Sequence, residues 1–166
     1  MSGRHSGLTE GRLSCVVLEG EPPLAPAVEA DRAQAVADLV AENHFVPLTV
    51  NSGVPHNGPF ELHLGVRDGR LVFDIRCVSG TPVAVIGLAL GPFRRLVKDY
   101  QLLVDSHIKA VEEGRAERIQ AIDMGRRGLH NEGAALLRER LDGKIGIDFA
   151  TARRLFTLVC VLHQRV

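Results

Sequence analysis

The run "FELHLGVRDGRLVFDIRCV", residues 60–78, constrains the fold more than any other part of the chain. Two stretches that alternate apolar and polar residues flank Asp68-Gly69, a pair suited to the two-residue type I′ turn of a β-hairpin. Such a loop sets the register. Arg67 faces Arg70, and outward from there Leu64 faces Phe73, Leu62 faces Ile75 and Phe60 faces Cys77. These apolar pairs share one face. On the other face Glu61 meets Arg76 and His63 meets Asp74, each pair complementary in charge. A slip of one residue destroys both patterns. Ser79-Gly80 then turns the chain into "TPVAVIGLAL", a third strand, so the middle of the chain is expected to be an antiparallel meander.

The flanks read differently. "RLSCVVLE" is expected as a first strand, ended by the Pro-rich "EGEPPLAPA". Val28 to Asn43 reads as a helix with Val36, Leu39 and Val40 as its apolar stripe, and Pro26, Glu29 and Asp31 suit its first turn. "HFVPLTV" is at best an edge strand because of Pro47, and "NSGVPHNGP" is a loop. After Gly91-Pro92 the pattern is helical. Phe93, Leu96, Val97, Tyr100, Leu103, Val104, Ile108 and Val111 form one stripe. A second helix is expected from about Glu117 to Leu141, then a turn at "DGKIGID". Asp148 suits the N-cap of a last helix, Phe149 to His163. Periodicity alone also fits that run to a buried strand; its length and its cap favour helix. The expected architecture is α+β: an antiparallel meander of three to five strands, with an N-terminal helix and three C-terminal helices packed on one face. Residues 1–166 read as a single domain whose first ten residues form a flexible tail.

Composition excludes several classes of function. The chain is 45% apolar and 24% charged, an ordinary globular balance. Its longest apolar run, "PVAVIGLAL", is far short of the roughly 20 residues that span a bilayer. No secretory signal opens it, and Cys15, Cys77 and Cys160 are widely spaced, so a reducing cytoplasm is the expected location. No Cys or His spacing suits a metal, and no glycine pattern suits a phosphate loop or a dinucleotide, so no cofactor is expected. Nucleic acid fits poorly with 4% aromatic residues and no Trp. Charge is uneven along the chain. Residues 1–90 carry 6 Lys+Arg against 10 Asp+Glu, and residues 91–166 carry 14 against 10.

The chemistry concentrates in "AIDMGRRGLHNEG", residues 121–133. In an unbroken helix, at about 100° per residue, Ile122, Gly125, Leu129 and Leu136 share one face and Asp123, Arg126, Arg127 and His130 another. On that phase Glu132 falls within the apolar stripe and needs a cationic partner, with Arg153 or Arg154 the expected one. Two interior glycines leave a break in the helix as an alternative. At "GPFRRLVKD", Arg94, Arg95 and Lys98 crowd a helix N-terminus, where free N–H groups and forked guanidiniums suit an anion. Arg153-Arg154 opens the last helix. Of the three Arg-Arg pairs, Arg94-Arg95, Arg126-Arg127 and Arg153-Arg154, at least two are expected to open onto one concave, electropositive surface.

"PFRRLVKDY", "IQAIDMGRRGLHNEGAALLRERL" and "FATARRLFTLVCVLHQR" closely resemble one of the uncharacterised protein families of alphaproteobacteria. The likeness is close from Phe93 onward and looser from Arg32 to Leu90, and the loop Val50 to Pro59 is longer here than in the family. The resemblance implies a cytosolic protein of about this length and brings no reaction, cofactor or catalytic residue with it. Three functions compete. The first is a non-catalytic module that binds an anionic ligand or protein partner through Arg94, Arg95, Lys98, Arg126, Arg127, Arg153 and Arg154. The second is an enzyme using His130 and Glu132, with Asp123 or Asn131 near by, in acid/base or hydrolytic chemistry. The third is a homodimeric scaffold packed through the Gly125/Gly128 face.

Overall fold

In the computed structural model, residues 11–20, 26–48 and 57–163 are described. The expected tail, residues 1–10, and most of the loop Val50 to Pro59 lie outside them.

The hairpin holds the expected register throughout. Strands β3 (Phe60–Arg67) and β4 (Arg70–Cys77) pair antiparallel from Phe60 opposite Cys77 to Arg67 opposite Arg70. Both turn residues have positive φ, as a type I′ turn requires: Asp68 at 52° and Gly69 at 71°. The opposed charges behave differently from the expectation. Glu61 bonds His63 and Asp74 bonds Arg76, each along its own strand rather than across. Strand β5 (Pro82–Ala89) completes the meander, with Phe73 opposite Ile86.

Two strand pairings add to the expected meander. Strand β1 (Leu13–Leu18) joins it parallel to β3, giving a mixed sheet in the order β1-β3-β4-β5. Parallel neighbours need a long crossover, and here it contains helix α1 (Pro26–Ala41), which packs on β1. Phe45–Pro47, strand β2, lies outside this sheet, in keeping with its proline. It pairs instead with β6 (Ile145–Ile147), inside a segment expected only to turn, where every second residue is apolar and buried.

A 3₁₀ turn, Gly91–Phe93, leads into helix α2 (Arg94–Glu112), followed by α3 (Ala116–Leu141) and α4 (Phe149–His163). Helix α3 is continuous through Gly125, Gly128 and Gly133. Helix α4 has the expected bounds, and Asp148 caps it by accepting the Thr151 N–H at 2.9 Å. Nine of its fifteen residues are buried, because α1 and α3 flank it and β3 lies against it. The core lies between the helices and one sheet face, which contributes Phe60, Leu62, Leu64, Leu71, Phe73 and Ile75. The α2 stripe leaves this core at its C-terminal end. Leu96, Val97, Tyr100 and Val104 are buried, while Ile108 and Val111 are exposed.

Candidate functional site

Helix α4 forms the floor of a cavity of about 340 Å³, and α1 and α3 form its walls. Asp31, Gln34 and Asp38 line it from α1, Arg126 and His130 from α3, and Arg153, Arg154 and Thr157 from α4. Asp31, Gln34 and Asp38, Arg126 and His130, and Arg153 and Thr157 are three, four or seven apart within their helices, the spacing of a single helical face, and Arg154 adjoins Arg153 at the edge of that face.

Arg126 reaches across to α1 and donates to Asp31 Oδ2 at 2.9 Å. The same oxygen accepts from the Tyr100 hydroxyl at 2.6 Å. Burial first, and then this bond to a carboxylate, raise the Tyr100 pKa far above its ordinary value, so the phenol stays protonated. Arg154 donates through Nη1 to the Glu42 carbonyl at 2.9 Å, near the C-terminal end of α1. Arg153 forms no ion pair among the described residues, and its Nε is buried without a hydrogen-bond partner. On the opposite wall Asp38 accepts one bond, from Gln34 Nε2 at 2.8 Å, and forms no ion pair among the described residues.

His130 is held at both ring nitrogens. Nδ1 lies 2.6 Å from the Arg126 carbonyl, which only accepts, so Nδ1 carries the proton. Burial lowers the His130 pKa most. The carbonyl bond opposes this, and the charges of Arg126 and Arg153 add to the lowering. The ring is therefore neutral near pH 7, and its Nε2, 3.0 Å from the Thr157 hydroxyl, competes for that single proton with the Arg153 carbonyl at 3.3 Å. Tyr100 and Phe156 meet it edge-on, with ring centroids at 6.0 and 5.9 Å.

The cavity thus gathers Arg126, Arg153 and Arg154 and leaves other expected residues outside it. Arg127 is exposed and does not line it. Arg94 and Lys98 are exposed on α2, and Arg95 pairs with Asp99 at 3.6 Å and with Glu132. The acid/base candidates do not meet. Of the four only His130 lines the cavity. Asn131 is exposed, and Asp123 sits 4.0 Å from His107.

Glu132 corrects the sequence reading. Its side chain is 53% exposed and its cationic partner is Arg95 of α2, not Arg153 or Arg154. The error is one of helical phase. The buried residues of α3 are Ile122, Leu129, Gly133, Ala134, Leu137 and Leu141, a face rotated toward Arg126 and His130. Leu136, counted as central to the stripe, is only partly buried. The small residue that admits another element is Gly133, where a Cβ would lie 2.5 Å from ring carbons of Phe156. Gly125 and Gly128 instead line a groove between α2 and α3, with Leu102, Leu103, Asp99 and Glu132.

The sequence reading missed Asp31, Gln34, Asp38, Tyr100 and Thr157 as site residues. For α1 a signal was present, since residues 31, 34 and 38 share one face beside the buried Val28, Ala35 and Leu39. For Thr157, the signal was its being the one hydroxyl within the otherwise apolar run "LFTLVCVL". Among the described residues no group of three or more His, Cys, Asp or Glu is placed to hold a metal ion.

Fold and cavity together define an α+β protein with an arginine-lined cleft among three helices. The chain belongs to the uncharacterised protein family UPF0262, which matches residues 10–165. It is 65% identical to a UPF0262 protein of Granulibacter bethesdensis, covering 93% of this chain and 91% of that one. A relative in Acidiphilium cryptum is 55% identical over 93% of this chain and 94% of its own. One in Rhodopseudomonas palustris strain HaA2 is 47% identical over 99% of both. No solved structure matches the chain.

Proposed function

We propose that the protein is a non-catalytic cytosolic binding module whose ligand is a small phosphate- or carboxylate-bearing molecule seated among α1, α3 and α4. The observation that carries this reading is Arg153, a cavity-lining guanidinium without a carboxylate partner, beside Arg126 and Arg154. The charge of Arg153 is offset by no carboxylate among the described residues, and an anion in the cavity supplies that offset. Forked guanidiniums suit the planar oxygens of phosphate and carboxylate. A volume of 340 Å³ lies at the small end of the range of about 300–1,000 Å³ typical of ligand sites, which fits a metabolite rather than a macromolecule. The absence of Glu132 from the cavity weighs against the acid/base reading. For the cytosol, the support is three free thiols and no helix long and apolar enough to cross a membrane among the described residues.

Titration calorimetry with inorganic phosphate at low ionic strength tests the proposal. Saturable binding is expected in the parent, with at least a tenfold loss in Arg153→Gln. Arg94→Gln, outside the cavity, is expected to bind as the parent does. Equal binding by parent and Arg153→Gln overturns the proposal, and so does no binding by the parent of phosphate or of the carboxylate probes named below.

A further inference from the structure

The cavity carries charge of both signs, and the two are not joined. Arg126 and Asp31 neutralise each other across it, at 2.9 Å. What remains is Arg153 with Arg154 on the α4 floor and Asp38 on the α1 wall. Neither arginine forms an ion pair with Asp38, although all three side chains line the same 340 Å³. A ligand with an anionic group alone would satisfy the floor and leave the Asp38 carboxylate beside it, opposed by like charge.

The α1 wall also offers acceptors and almost no donors. One of the two Gln34 amide N–H groups is committed to Asp38 Oδ1, and the Gln34 carbonyl oxygen and Asp38 Oδ2 are without hydrogen bonds among the described residues. On Asp31 both bonds fall on Oδ2, from Tyr100 and Arg126, and Oδ1 is likewise left over. Three acceptors on one helical face are matched by a group with several N–H donors. An ammonium has three, whereas a hydroxyl has one. The charge count agrees. Three guanidiniums and two carboxylates, with His130 neutral, leave the site one positive charge in excess. A phosphate dianion joined to an ammonium carries one net negative charge and offsets that excess, whereas a carboxylate joined to an ammonium is net neutral and leaves it in place, so the charge count favours the phosphate head.

We infer that the ligand is amphoteric, a small phosphate or carboxylate whose anionic end meets Arg153 and Arg154 and whose ammonium end meets Asp38, Gln34 and Asp31. This rests on the anion-binding reading above and deepens it. Asp38 is the discriminating residue, because Asp31 is tied into the Tyr100 and Arg126 network while Asp38 bonds only its own helix.

Matched pairs of probes separate the two claims: O-phosphoethanolamine against monoethyl phosphate, and β-alanine against propionate. Titration calorimetry of the full chain is expected to show the amine-bearing member of at least one pair binding tenfold or more tighter. In Asp38→Asn that preference is expected to fall to within twofold, while binding of the amine-free member is unchanged or tighter. The pair that shows the preference tells whether the anionic end is phosphate or carboxylate. If the amine-free probes bind and the amine adds nothing, the amphoteric ligand is overturned and the anion site stands. A preference that survives in Asp38→Asn overturns the role of the α1 wall. If no probe binds to the parent, both readings fall. Circular dichroism of Asp38→Asn, expected to match the parent, separates lost preference from lost fold.

Discussion

At the scale of single residues, exposure decides what a charge is worth. Glu132 and Arg95 are 53% and 68% exposed, and such pairs contribute about 0–1 kcal/mol. Glu132→Gln is therefore expected to melt within about 4 °C of the parent; a fall beyond about 5 °C would restore the buried, paired Glu132 of the sequence reading. His130 is the opposite case. Its folded pKa lies below the ordinary 6.5, since burial and the nearby Arg126 and Arg153 disfavour the imidazolium, with Asp31 opposing them. The unfolded chain then takes up this proton first. The stability contributed by neutral His130 is complete above about pH 6.5 and is lost as pH falls through that value toward the folded pKa. Denaturant unfolding at pH 7, 6 and 5 is expected to show a steeper loss in the parent than in His130→Gln, by up to about 1.4 kcal/mol per pH unit. Parallel losses in the two proteins would mean that His130 titrates as it does in the unfolded chain.

At the scale of elements, what was legible in the sequence was local. The β3–β4 register followed from a two-residue turn and two matching faces, all within eighteen residues. The bounds of α4 followed from an apolar run and the Asp148 cap. The α3 phase was not legible, because apolar residues are sparse in its first half and three glycines leave several faces equally plausible as core. Only the position of Phe156 selects among them. Gly133→Ala is expected to destabilise the protein by about 1–3 kcal/mol despite the better helix former, since the fully buried Phe156 ring has no room to retreat. Gly128→Ala, where a Cβ meets nothing within 4 Å, is expected to stabilise it by up to about 1 kcal/mol. Thermal melts that rank the two variants the other way would show that Gly128, not Gly133, lies at the packing seam.

At the scale of the whole molecule, the uneven charge of the sequence becomes the character of the cavity. Its acids, Asp31 and Asp38, come from the acidic half of the chain, and its arginines come from the basic half. No sequence pattern brings Asp31 to Arg126, 95 residues away; tertiary packing of α1 and α3 on α4 does so. That is why the arginines were legible as candidates and their carboxylate counterparts were not. The parallel seating of β1 has a consequence for how the chain assembles. Leu13 pairs with Phe60, whereas Arg67 pairs with Arg70 across a two-residue turn. The entropy of closing a loop rises with its length, so the β3–β4–β5 meander is the inexpensive nucleus. Strand β1 gains its place only once α1 has folded back over the sheet, and α1 carries the carboxylates of the cleft with it. The cleft is therefore a late product of assembly, closed by the same movement that adds the fourth strand.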